Sequence, residues 1–290
     1  MAGEEASRTA SSGSAGSGGS IGSGVVVESW DAISRSYRDY WTPRFRPFLE
    51  RAVSAFEPPP RGPIAVPGSG PGDEVHLLLR KFPGRAIFAT DPSPEMVALC
   101  RESLRAAGAS TALVTLGHAE DLSSLIHQAA GVLSCFTLQL LASPAAALED
   151  WSSALRLGGA VSAIFWPKPM PESSFGLLMK ALEDVTQQSR PDWEEPTIAS
   201  LPHAGLELTL DERVTRPMEH ASPEALFDAI VERGALQVLL RRLGREVFAK
   251  VRERWLARHG LEKTSSGWRD AAQARLWVLK KISEPGAQSH

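Results

Sequence analysis

The sequence predicts an α/β fold: a doubly wound, mostly parallel sheet carrying a helical lid insertion. Three observations predict it. Between Ile64 and Trp166 short apolar runs alternate with helical patterns, the arrangement that sets parallel strands beside crossover helices. The first run leads into Gly68-Ser69-Gly70-Pro71-Gly72, where glycine permits unusual torsions and close backbone approach. The next run ends at Asp91, nineteen residues after Gly72. That position puts a carboxylate at the carboxyl end of the second strand, beside the crevice in which open α/β sheets bind nucleosides.

Taken in order, the chain opens with Met1 to Gly24, a segment of Gly, Ser and Ala. Its scarcity of apolar bulk predicts a disordered tail, because little burial offsets the cost of ordering it. Glu28 to Phe56 has helical periodicity and carries Trp30, Tyr37, Tyr40, Trp41, Phe45 and Phe48. Pro43 and Pro47 interrupt it, so two helices joined by a bend are expected. Pro58-Pro59-Pro60 closes this cap. Five strands follow over residues 64–66, 86–90, 112–115, 131–135 and 160–165. A helix over Pro144 to Leu155 is expected to stop at Gly158-Gly159.

The later part breaks the alternation. Residues 167–171 hold three prolines and read as a rigid turn. A helix is predicted over Ser174 to Gln187, and a loop over Arg190 to Pro202. Leu206 to Arg213 reads as a sixth strand, Pro223 to Arg233 and Leu236 to His259 as helices, and Trp268 to Lys280 as the seventh strand. One domain over 25–282 is expected, with 283–290 as a tail.

Charge and composition exclude several classes. The formal net charge is −3, so no global basic field draws nucleic acid or an anionic membrane. Arg241, Arg242, Arg245, Arg252, Arg254 and Arg258 fall at helical spacing among apolar residues and read as a solvated helix face. Cys100 and Cys135 are too few for a disulfide framework and lack metal-ligand spacing. A reducing, cytoplasmic setting and no metal are therefore expected. No apolar run approaches the roughly 20 residues that span a bilayer.

The glycine spacing narrows the ligand. A dinucleotide turn reads G-x-G-x-x-G, but here the pattern is G-x-G-x-G, and Asp73 fills the site of the third glycine. Asp73-Glu74 suits the positive end of a helix yet repels a pyrophosphate. The site reads as one for a nucleoside without phosphates.

On these residues the chain resembles the class I S-adenosylmethionine-dependent methyltransferases of small-molecule type, from about Glu28 to Lys281. Residues 68–72 match the family's first motif, and Ile87 to Met96, with its Asp91 and Ser93-Pro94-Glu95-Met96, looks like the second. Gly117 to Leu122 resembles the adenine-side motif. Val132 to Leu141, Pro144 to Leu148 and Leu155 to Gly159 look like the fourth strand, its helix and the approach to the fifth strand.

The resemblance implies a Rossmann-like sheet with an antiparallel last strand and a substrate lid after the fourth and fifth strands. It implies that Gly68, Ser69, Gly70 and Gly72 cradle the methionine moiety and sugar, and that Asp91 grips the ribose beside Pro92 and Met96. His118, Ala119 and Glu120 would border the adenine, with Ser134, Cys135 and Phe136 at the amino-acid end. Trp30, Tyr37, Tyr40, Gln139 and Trp166 are the acceptor-site candidates. Asp91 with Pro92 is also expected to cap the helix that follows.

A general base is sought among His118, His203 and His220, the last two expected on solvated loops. No residue is assigned as catalytic. The chain departs from the family at Val66 and Ala130, where acidic residues are usual, at Pro67, and at His118 in place of an aspartate. The expected function is methyl transfer to a small organic acceptor. The departures support one alternative, a catalytically inactive relative serving as a partner or regulatory subunit. A dinucleotide oxidoreductase is disfavoured by Asp73.

Overall fold

Aromatic residues at helical spacing build a single helix, α1 (Ser23–Ala55), in the computed structural model, which describes residues 23–168, 173–189 and 191–286. The expected tail before residue 23 and most of the proline-rich turn at 167–171 lie outside the described residues. The expected bend does not divide the helix: Pro43 and Pro47 both lie within α1. Pro43 is exposed, and so is Asp39, whose carbonyl loses its helical donor there; water can replace it. Each interior proline costs about 3 kcal/mol. Burial of Trp41, Phe45, Phe48, Leu49 and Val53, at about 1.5–3 kcal/mol apiece, outweighs both. At the helix's end the Lys81 ammonium donates to the carbonyls of Val53, Ser54 and Phe56 at 2.7, 3.0 and 2.9 Å.

The sheet comprises β1 (Ile64–Pro67), β2 (Ile87–Asp91), β3 (Ala112–Leu116), β4 (Ala129–Cys135), β5 (Leu155–Phe165), β6 (Leu206–His220), β7 (Glu262–Lys263) and β8 (Trp268–Lys281). Its order is β3-β2-β1-β4-β5-β8-β6, with the two-residue β7 added on β8. The first five strands are parallel, and β8 runs antiparallel to β5 and β6. The crossovers carry α2 (Asp73–Lys81), α3 (Pro94–Ala106), α4 (Leu122–Leu125) and α5 (Pro144–Ala154). Alternate residues serve the two faces: Val66, Ile164 and Leu276 pack on one side with α1, and Ala65, Phe165 and Trp277 on the other with Trp151.

Four boundaries differ from expectation. Gly158-Gly159 does not stop a helix; α5 ends at Ala154 and both glycines lie within β5. Pairing steps from Ala129↔Leu155 to Gly131↔Ala160, so β5 bulges, and Gly158 at φ 76° takes the left-handed torsion the bulge needs. Residues 190–202, expected as a loop, contain α7 (Glu194–Ser200), anchored where Trp193 packs against Phe165 and Trp277. The helix expected over 236–259 is two, α9 (Gln237–Leu243) and α10 (Arg245–Leu256), divided at Gly244 with φ 85°.

The fourth difference shapes the site. β6 runs past Arg213 to His220, paired with β8 along its length. Pro217 is tolerated because β6 is the sheet's edge strand. Beyond the Phe165↔Arg275 pair, the β6–β8 ribbon projects past the carboxyl edge as a wall. α6 (Ser174–Thr186) and α8 (Pro223–Glu232), with α9 and α10, cover the space beside it. Arg275 ties α7 to this ribbon, pairing with Asp211 and with Glu194, which is 1% exposed.

Candidate functional site

The chain leaves β1 through Gly68, Gly70 and Gly72, at φ 70°, 48° and 100°. A Cβ on Gly68 would stand 2.4 Å from Thr137 Oγ1, whereas one on Gly70 would meet nothing within 4 Å. The turn is thus packed from behind at Gly68 and open at Gly70. The Gly70 N–H donates to Asp91 Oδ2 and the Ser93 N–H to Asp91 Oδ1, each at 2.9 Å. Asp91 is not the cap of α3. That role belongs to Ser93, whose Oγ accepts the Met96 N–H at 3.1 Å, with Pro94 rather than Pro92 in the first turn. Ser93 has the extended torsions a cap needs, and Asp91 spends its oxygens on the glycine turn and on Ser93.

α1 crosses this edge. Asp31 accepts the Ser93 hydroxyl at 2.5 Å and the Glu95 N–H at 3.1 Å. Burial pushes the Asp91 carboxyl up to about 6, against the pull of its two backbone donors. Glu74, 6% exposed in the first turn of α2, is held well above the usual carboxylate range by burial, then by Asp73 and Asp91. The Tyr37 phenol is raised by burial and by these same acids.

Other sequence-predicted residues fall around this edge. Met96 and Ala119 are buried; His118 and Glu120 are exposed. The Ala119 carbonyl is taken by Trp151 Nε1 at 2.7 Å. Ser134 and Cys135 end β4, and the buried Ser134 and Thr90 hydroxyls find no partner among the described residues. Phe136 follows at φ 56°, an uncommon torsion for a side-chain-bearing residue. It stacks on Trp166 at 4.5 Å and tilts against Phe45 at 4.6 Å.

Two voids meet here. A small one of about 50 Å³ lies against Gly68, Ser69, Gly70, Asp73 and Glu74, and is closed by Tyr37, Phe45 and Phe136. A cavity of about 770 Å³ lies beyond, and Trp30, Tyr37, Gln139 and Trp166 line it. Tyr40 does not line it. Its hydroxyl bonds to His220 Nδ1 at 2.9 Å while the Arg44 guanidinium lies 3.8 Å from its ring centre. His220 is no surface residue: it ends β6 at 3% exposure, and burial with Arg44 nearby lowers its pKa to about 4. His203 is exposed in the turn before β6, 3.6 Å from Glu149. None of the three candidate histidines lines the cavity.

Thr137 is not among the sequence-predicted residues, and Glu74 enters there only as half of the acidic pair after the glycine turn. Thr137 carries no motif, and its hydroxyl reaches the Gly68 carbonyl at 3.2 Å only in the folded chain. Glu74 had one available signal, its place just after the glycine turn, which also suits an ordinary helix start.

Residues 64–159 match the family described as a methyltransferase domain. These residues carry a methyltransferase domain. The methyltransferase shares its fold with solved structures of low identity. One is the YcgJ protein of Bacillus subtilis, with 12% identity and a TM-score of 0.57 over 81% of this chain and 98% of that one. Another is a chain in the Haloferax volcanii complex that contains a methyltransferase activator, with 16% identity and a TM-score of 0.56 over 91% and 100%. A geranyl diphosphate methyltransferase solved with GPP and sinefungin gives 12% identity and a TM-score of 0.50 over 82% and 78%. No curated protein matches the chain.

The methyltransferase depends on S-adenosylmethionine, and its residues fit that cofactor. Asp91 stands at the tip of β2, and Gly70, on the wall of the small void, has open space where a side chain would be. The acids Asp73 and Glu74 with the rings of Tyr37, Phe45 and Phe136 suit a ligand bearing an ammonium and a sulfonium. Among the described residues no helix is long and apolar enough to cross a membrane.

Proposed function

We propose that this methyltransferase transfers the methyl group to a small organic acceptor held in the cavity of about 770 Å³. The observation that supports it is a shared wall: Tyr37, Phe45 and Phe136 line both the void at the glycine turn and the larger cavity. An acceptor in the cavity is therefore separated from the glycine-turn void by these side chains, which must move aside for methyl transfer. The volume is that of a pocket for a drug-sized molecule.

In this reading Gly68, Ser69, Gly70 and Gly72 receive the methionine end, with Ser134, Cys135 and Phe136 opposite. Asp91, next to Pro92 and Met96, takes the ribose hydroxyls, and His118, Ala119 and Glu120 border the adenine. Bound S-adenosylmethionine supplies a methyl group on a sulfonium, already activated for in-line displacement. The protein's part is alignment in a dry pocket, which can supply about 7–11 kcal/mol of the barrier. Phe136 and Trp166, stacked at the mouth of the cavity, exclude water. Gln139 donates its Nε2 to the Phe136 carbonyl at 2.8 Å and keeps its buried Oε1 without a partner, so that oxygen can accept from a substrate hydroxyl or amine. The net charge of −3 favours a small molecule over nucleic acid, and the free, buried thiols of Cys100 and Cys135 support a reducing, cytoplasmic setting.

Two outcomes test the reading. Leu239→Trp fills the cavity from α9 and should lower kcat/KM for an acceptor more than tenfold while leaving S-adenosylmethionine affinity unchanged by calorimetry. Equal loss of both, or of neither, would move the acceptor elsewhere. The second is pH. Ribose donors need the Asp91 anion, so S-adenosylmethionine affinity should decline as pH falls through about 6. The linked stability has the opposite sign. A carboxyl raised on folding favours the protonated folded state, so the free protein loses stability as pH climbs from the usual carboxylate range through about 6. Asp91→Asn should flatten both profiles.

A further inference from the structure

At the end of the cavity away from the glycine turn, one carboxylate stands among apolar walls. Asp270 lies on β8, five residues before Arg275, which pairs with Phe165 at the end of β5. At roughly 3.3 Å per residue that is about 16 Å beyond the sheet edge. Asp270 lines the cavity and is only 3% exposed. Its Oδ1 accepts the Ser174 N–H at 3.3 Å, at the N-terminus of α6. It forms no ion pair among the described residues. The buried Ser174 hydroxyl lies beside it and, with the Ser174 N–H, favours the charged carboxylate, while burial works against that charge and holds the carboxyl above its usual range.

A buried carboxylate without a cation is costly, and the donors of one residue, Ser174, at the positive end of a helix compensate it only in part. The charge left over faces a cavity lined with Trp30, Tyr37, Trp41, Trp166 and Phe175, whose ring faces attract cations. The lining also carries Lys180 and Arg258, neither of which forms an ion pair with Asp270 among the described residues, and Lys168, which pairs with Glu183 at 3.5 Å.

We propose that Asp270 with Ser174 forms a recognition site for a protonated amine on a mostly apolar acceptor, whose other end is presented beside Phe136 and Gln139. This inference rests on the acceptor reading of the cavity and adds the substrate class. Ser174 and Asp270 position the molecule; they lie too far along the ribbon to touch the reacting atoms at the sheet edge.

The test is calorimetric titration of the full chain near neutral pH with phenylbutylamine and with its neutral counterpart phenylbutanol, alongside S-adenosylmethionine. The amine should bind at least tenfold more tightly than the alcohol. Asp270→Asn should abolish that preference while leaving alcohol affinity within about twofold. Should Asp270→Asn fail to fold, the ratio in the unmodified protein still decides. Equal or weaker binding of the amine there, or a preference that survives Asp270→Asn, overturns the amine site and leaves the acceptor reading standing. Binding of S-adenosylmethionine with neither probe overturns both.

Discussion

Arg275→Met should lower the melting temperature by about 10 °C. Arg275 is the cation for Glu194, and its side chain is 12% exposed against 1% for the glutamate. Removing it strands a buried carboxylate that then keeps only backbone donors such as the Lys168 N–H. Breaking one side of a buried pair typically costs about 3–5 kcal/mol. For a domain of this size each kcal/mol moves the midpoint by roughly 2–4 °C. Adding Glu194→Gln should recover most of the loss, because the stranded charge disappears with it. The Asp211 carboxyl, held below its usual range by the Arg275 guanidinium, should return to that range in the variant. Calorimetric melting of the two variants decides: a single variant within about 2 °C of the parent would show that the pair does not hold α7 to the ribbon.

Asp91→Ala should weaken S-adenosylmethionine binding at least tenfold, and by about two orders of magnitude if both ribose hydroxyls are held. Hydrogen bonds to a charged group are worth about 1.5–3 kcal/mol each. The same change frees the Gly70 and Ser93 N–H groups, so the glycine turn is left tied to β2 through the Ser69 N–H and the Thr90 carbonyl, at 2.8 Å. Comparison with Asp91→Asn separates these effects, since the amide oxygen can still accept one of the two N–H groups while the charge is gone. Unchanged affinity in Asp91→Ala would sink the ribose assignment.

The glycine turn and Asp91 were legible because their chemistry is local. A turn with three positive torsions and a carboxylate closing the next strand are dictated by a few consecutive residues. The inner parallel strands were legible for a similar reason, since a buried strand must be a short apolar run; the edge strand β3, with one buried residue, keeps that apolar run although most of it is not buried. The expected bend at Pro43 was not, because a proline's cost can be read locally while the burial that outweighs it depends on partners far along the chain. Gly158-Gly159 misled in the same way: two glycines after a helix signal a stop, and only pairing with β4 made them a bulge.

Among the acceptor residues, Trp30, Tyr37, Gln139 and Trp166 line the cavity while Tyr40 bonds to His220. A helix period separates faces but does not say which distant element a face will meet. Tyr37 and Tyr40 are three apart and share a side of α1, yet β6 captured one and the cavity the other. His220 and Asp270 were placed by the length of the β6–β8 ribbon, which continues through Pro217. The sequence by itself determined the parallel core and the glycine turn at its edge, because those follow from backbone torsions and apolar periodicity over short spans, while the cofactor followed from the resemblance of its motifs to a known family. Only the tertiary structure decided the acceptor cavity, the buried ion pair and the isolated carboxylate at Asp270. Each of these brings together residues far apart in the chain, 81 positions for Arg275 and Glu194 and 96 for Asp270 and Ser174, and burial and charge compensation exist only once they meet.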